Sequence, residues 1–175
     1  MSLLPLFELL EALPSSVALR ESIYGYPILL TTHVVSMCLF AGLIAFWDMR
    51  LVGMTLKSVP VSLIPPNYFP WALAGFAISS ISGLLLFYSS PMRFYGNFFF
   101  WVKNALLILA GVNALVFHLT TYHSVDKWDS KSVTPFGARL AGILSLALWA
   151  GIILTGRMIA YNETNMNPMT WFTAN

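Results

Sequence analysis

The sequence predicts an all-α integral membrane fold: a four-helix up-down-up-down bundle, preceded by a short interfacial amino-terminal helix. Three observations predict it. Hydrophobic residues make up 58% of the 175 residues and charged residues only 9%, with a mean hydropathy of +0.74. Soluble domains average about 25% charged residues, and a water-facing surface built from so few charges would be too apolar to stay dissolved. Four apolar runs each reach the ~20 residues needed to cross a hydrocarbon core of ~30 Å. Aromatic residues flank these runs, namely Tyr24, Tyr26, Trp47, Phe69, Trp71, Tyr88, Trp101, Tyr122, Trp128 and Tyr161. Amphipathic rings concentrate at membrane–water interfaces. Residues 1–175 are read as a single membrane domain.

Along the chain, the amino terminus lacks an early positive charge, since the first basic residue is Arg20. Pro5, Glu8, Glu11 and Pro14 interrupt any long apolar run, so the segment does not read as a cleavable signal. Leucines and Phe7 around Glu8 and Glu11 suit a helix lying in the interface plane. The first span is expected at about 23–47, with Pro27 in its first turn and His33 as its one ionisable side chain. Pro60, Pro65 and Pro66 are expected to block helix continuation through the connection from Met49 to Tyr68. The second span is expected at about 69–88, followed by a turn with Pro91 and Gly96. The third, about 98–120, carries Lys103 near its start and His118 near its end. A polar connection from Thr121 to Pro135 leads to the fourth, about 136–160, with Arg139 and Arg157 at its two ends. Lysine and arginine at such positions reach the headgroups by snorkelling. Short connections favour antiparallel neighbours. Small residues at helical spacing, Gly75/Ser79/Gly83, Ala41/Ala45 and Ala147/Gly151, mark helix contact faces.

Other classes are excluded or disfavoured. The formal net charge of +2 is spread without a basic run, so no nucleic-acid partner is expected. Cys38 is the single cysteine and sits in an apolar run, which rules out an internal disulfide and a zinc-type cysteine spacing. There is no phosphate loop, nucleophile elbow, metalloprotease motif or carboxylate pair, so a stand-alone enzyme is the least supported class. Taking the amino-terminal side as face A, basic residues number four there (Arg20, Arg93, Lys103, Arg157) and five on face B (Arg50, Lys57, Lys127, Lys131, Arg139). The positive-inside rule then places both termini in the periplasm. Asp48, Arg50 and Arg139 are expected to meet in an ion pair near face B.

The stretches TTHVVSMCLFAGLIAFWDMRLVG, FWVKNALLILAGVNALVFH and ARLAGILSLALWAGIILTGRMIAY resemble an uncharacterised family of small four-span bacterial inner-membrane proteins. The likeness covers roughly Pro14 to Tyr161. It implies a bacterial inner-membrane location and four helices, and it brings no activity.

The chemistry must therefore come from polar groups at membrane depth, which are expensive there and often functional. His33 is the foremost candidate, as a structural hydrogen-bonding group, a haem ligand, or a proton or metal site. His118 is the second candidate ligand by residue type, but not by depth. His33 lies 15 residues before Asp48, and His118 lies 8 residues before Asp126. Across different boundary markers the offset is roughly 7 to 10 residues, or about 10–15 Å of vertical mismatch for a shared haem. Lys103 and Arg157, both towards face A, are expected to contact haem propionates or lipid headgroups. His33, Met37 and Cys38 form a weaker soft-ligand set for copper. Trp149 needs a partner for its indole N–H or a cofactor to stack on. The best expectation is a b-type haem-binding redox subunit of an electron-transfer assembly, exchanging electrons with quinone. The alternative is a non-catalytic accessory subunit beside a larger membrane complex, and a transporter is less favoured. The polar tail from Asn162 to Asn175, with Trp171 and Phe172, points to contact with lipid or another chain, hence to other membrane subunits or a homo-oligomer.

Overall fold

The computed structural model describes residues 4–129 and 134–161; the expected tail contacts of Trp171 and Phe172, and the position of Lys131, lie outside the described residues. Among the described residues the fold is all-helical. Helices α1 (Leu4–Glu11) and α2 (Pro14–Glu21) are short, α3 spans Gly25–Val52, α4 Ile64–Ser89, α5 Pro91–Tyr95, α6 Phe98–Thr120 and α7 Phe136–Tyr161. Four of these, α3, α4, α6 and α7, are long and apolar enough to cross a bilayer. Their outward side chains stay bare, with Leu84 69%, Ile108 68% and Leu154 67% exposed. Apolar surface of that kind calls for lipid as its solvent.

The ends of the elements follow from local chemistry. The single expected amino-terminal helix is two, because Pro14 supplies no N–H to continue α1 but fits the first turn of α2. Their polar groups satisfy the far end of α4. Ser16, fully buried, donates to the carbonyls of Tyr88 (2.9 Å) and Ser89 (3.3 Å), and Arg20 donates to Ser89 (3.1 Å). Glu11 accepts from the backbone N–H of Met92 at 3.0 Å, at the start of α5. Helix α3 ends in Gly53, whose φ of 87° is left-handed, with the Gly53 and Met54 N–H groups returning to Arg50 and Met49. Pro65 and Pro66 were expected to keep the chain non-helical to Tyr68, yet they occupy the opening of α4. The first N–H groups of a helix have no partner inside it, so proline costs nothing there. The break in the chain is therefore only 53–63, tied down by Arg50, which donates to the Val59 carbonyl at 2.9 Å.

The ion pair expected among Asp48, Arg50 and Arg139 does not form. Arg50 spends its guanidinium on Val59 and Thr134, and Asp48 has Ser145 as its hydrogen-bonding neighbour. Loop closure competes for the same cation and wins, because Arg50 is buried beside the Val59 carbonyl, which needs a donor. Near face B, Leu51, Val61, Phe117, Trp128, Ala138 and Ala141 close the bundle into a small apolar core.

The long helices pack in the order α4–α3–α7–α6, while α4 and α6 scarcely touch. Glycines set the first two seams. A Cβ on Gly75 would lie 3.1 Å from the Ser36 carbonyl oxygen, and one on Gly142 would lie 3.0 Å from that of Asp48. Asn113 joins α6 to α7 by donating to Ala141 at 3.0 Å. The bundle is closed at face B, and between α4 and α6 it leaves a lateral cleft. Phe87 and Phe100, stacked at 5.6 Å and 10°, bridge that cleft near face A.

Candidate functional site

His33 stands two turns into α3 and packs against α4 where Gly83 leaves room for its ring. A Cβ on Gly83 would come within 3.0 Å of the imidazole Cε1. Nδ1 lies 2.9 Å from the Ser79 carbonyl and 3.1 Å from the Ser82 hydroxyl. A carbonyl only accepts, so Nδ1 carries the proton. The Ser82 hydroxyl proton is directed to backbone carbonyls, 2.6 Å to Ile78 and 3.1 Å to Ser79, and its lone pair faces the imidazole. Nε2 is thus left with its lone pair and has no hydrogen-bond partner among the described residues. Metal-ligating histidines have this arrangement, with the remote N–H held by a carbonyl that fixes tautomer and orientation.

Two chambers meet at this ring. The larger, about 790 Å³, follows the α4–α6 cleft and is lined by His33, Phe40, Lys103, Asn104, Ser145 and Trp149 among others. The smaller, about 380 Å³, lies between α3 and the face-A end of α7, lined by Tyr26, Leu30, Val34, Arg93, Ile153 and Arg157 among others. His33, Met37, Gly83, Phe87, Phe100 and Lys103 border both. Lys103 is half-buried and near enough for its charge to act on the imidazole, and it has no hydrogen-bond partner among the described residues. Trp149 meets Phe40 edge-on at 5.0 Å and presents its indole to the larger chamber.

The expected site residues therefore divide. His33 and Lys103 are brought together. Arg157 reaches only the smaller chamber, where it donates to the Tyr161 hydroxyl at 3.1 Å. His118 is not brought to His33; it is exposed in the last turn of α6, its ring stacked on Tyr122 at 5.5 Å. Met37 and Cys38 both border the smaller chamber with His33, but among the described residues no three His, Cys, Asp or Glu side chains gather to hold a metal ion. Sequence reasoning missed the tether formed by Ser79 and Ser82, and the rim formed by Tyr26 and Arg93. The signal was present for the tether: Ser79, Ser82 and Gly83 lie at i, i+3 and i+4 on one helix face.

By length and composition the four long helices define the class of a multi-pass helical membrane protein, with a largely apolar cavity that His33 and Lys103 border. Residues 22–162 match the model of a family of unknown function, DUF6644, and the chain belongs to that family. No curated protein and no solved structure matches it.

Proposed function

We propose that this protein is a membrane subunit holding one b-type haem in the larger chamber, where His33 would hold the iron. The observation that carries the reading is the tether on His33: Nδ1–H is committed to the Ser79 carbonyl, and Nε2 keeps a free lone pair at the edge of an apolar cavity of about 790 Å³. That volume falls within the roughly 300–1,000 Å³ of ligand and cofactor pockets. Haem is a planar apolar body with anionic edges, and the residues present fit both parts. Phe40, Phe76 and Trp149 supply apolar walls, and Lys103, which has no hydrogen-bond partner among the described residues, supplies a cation beside the ligand. When bound, haem iron supplies one-electron transfer, with its potential tuned by the axial ligand and the surrounding dielectric. The protein's own part is to orient the imidazole, balance charge with Lys103 and keep water out. With His118 at the other end of the bundle, the reading is one haem with a single histidine ligand. Quinone in the bilayer is the proposed redox partner, in a bacterial inner membrane with both termini periplasmic, and other membrane subunits complete the assembly.

Protein purified from cells supplied with haem is expected to show a Soret band, and His33→Ala is expected to abolish it or shift it strongly. A colourless wild-type preparation overturns the haem reading and leaves the accessory-subunit reading standing.

A further inference from the structure

Asp48 is the only Asp or Glu within the four spans, and it lies one turn before the end of α3. It is only 5% exposed, and its Oδ2 is buried without a hydrogen-bond partner. Its hydrogen-bonding neighbour is the Ser145 hydroxyl of α7. No cation stands opposite, and Asp48 forms no ion pair among the described residues. On its own helix, Arg50 donates to Val59 and Thr134. On α7, Arg139 is exposed and Arg157 lies at the other end of the helix. Helix α4 carries no Asp, Glu, Lys, Arg or His. On α6, His118 is exposed against Tyr122, and Lys103 stands near His33 at the far end. In the α6–α7 connection Asp126 and Lys127 are exposed, and Asp129 is held by Ser62. An ionised carboxylate at this burial needs a counter-charge or several donors; a protonated carboxyl needs neither. Towards face B the bundle is closed by Leu51, Val61, Phe117 and Trp128. The Ser145 hydroxyl, however, also lines the larger chamber.

We propose that Asp48 holds a proton and exchanges it with the larger chamber through Ser145, so that a charge change in the chamber is matched by proton uptake or release at α3. A hydroxyl donates and accepts at once, which suits a relay, and acids at membrane depth serve such relays. The Asp48 O–H bond breaks as its proton passes to the Ser145 oxygen. The proton of Ser145 leaves to a basic or anionic group of the chamber's occupant, or to water when the chamber is empty. Uptake runs in reverse. The inference rests on the chamber's geometry and not on haem as its occupant.

The test is infrared spectroscopy of the full chain, purified without added haem in a detergent free of ester groups, on transfer from H2O to D2O at neutral pH. A protonated carboxyl has a carbonyl stretch apart from the amide bands, and deuteration lowers its frequency. The wild type is expected to show this band and its shift in D2O. Asp48→Asn should lose the band, and Asp48→Glu should keep one at an altered frequency. Should Asp48→Asn fail to fold, the frequency change in Asp48→Glu carries the assignment. Ser145→Ala should keep the band and slow its shift about tenfold, the rate equivalent of one hydrogen bond. Ser145→Thr keeps the hydroxyl and should restore the wild-type rate. A wild type without the band overturns the proposal. So does a band unaltered by both Asp48 substitutions, a band that never shifts in D2O, or one that shifts as fast in Ser145→Ala as in the wild type. None of these outcomes bears on the haem reading, because no haem is present.

Discussion

At the scale of single residues, His33 and Gly83 form a coupled pair. The imidazole occupies the space where a Cβ on Gly83 would sit, only 3.0 Å from its Cε1. Gly83→Ala must therefore push the ring away from the Ser79 carbonyl, since helix backbone on either side cannot yield. For the proposed haem site, the expected outcome is an absorbance shifted or lost to an extent approaching that of His33→Ala, with helicity retained by circular dichroism. Ser82→Ala removes only the second, longer partner of Nδ1, so it should keep the haem and alter its spectrum slightly. Equal damage from Ser82→Ala and Gly83→Ala would mean that the hydroxyl, not the carbonyl, orients the ring. Lys103→Met should reduce retention of the proposed haem while leaving its band position unchanged, because it removes charge and not the imidazole proposed to hold the iron.

At the scale of elements, Asn97 connects two helices with one side chain. Its Oδ1 accepts from the Phe99 N–H at 3.0 Å and caps α6, while its Nδ2 donates to the Ile159 carbonyl of α7 at 3.2 Å. The residue is only 4% exposed. Loss of an N-cap costs about 0.5–2 kcal/mol, and an orphaned buried carbonyl costs about 1–3 kcal/mol more. Asn97→Ala is expected to lower the detergent-solubilised melting temperature clearly, whereas Asn67→Ala, whose side chain bonds only within its own exposed turn, should leave it nearly unchanged. The seams between long helices depend on small residues in the same way. Gly75→Val should force α3 and α4 apart, because the neighbours of the new Cβ are the Ser36 carbonyl at 3.1 Å and the Phe40 N–H group at 3.2 Å.

At the scale of the whole molecule, the helix order α4–α3–α7–α6 leaves one flank open, and that opening forms the larger chamber. Four crossings require Ile23, before α3, and Lys57, between α3 and α4, to lie on opposite sides of the membrane. In a background with Cys38→Ala, membrane-impermeant thiol labelling of Ile23→Cys and Lys57→Cys should mark opposite faces. Labelling of both from one side would refute the first crossing and with it the bundle. Filling the open flank from within, by Gly111→Phe on α6, should reduce haem uptake without disturbing the seams that hold α7. Gly111 lines the chamber, and a Cβ there meets nothing within 4 Å.

The sequence by itself determined the four spans, because length and hydropathy are local properties that the bilayer reads directly. The expected spans near 69–88, 98–120 and 136–160 fall within α4, α6 and α7, and the one near 23–47 overlaps α3, which begins two residues later at Gly25 and runs on to Val52. It also singled out His33 and Lys103, because an ionisable group at membrane depth stands out against an apolar run. It misplaced the start of α4, since proline reads as a breaker until its position in the first turn is known. Arg50 was likewise assigned to an ion pair, when a loop carbonyl claimed it. Only the tertiary structure decided that Lys103 borders both chambers while Arg157 reaches only the smaller one, that His118 stands away from His33, and that Ser79 and Ser82 hold the imidazole. Those facts depend on which faces of α3 and α4 meet and on α4 and α6 failing to meet. Nearly uniform apolar surfaces leave helix rotation unmarked in the sequence, and a few glycines in close contact set it in the fold.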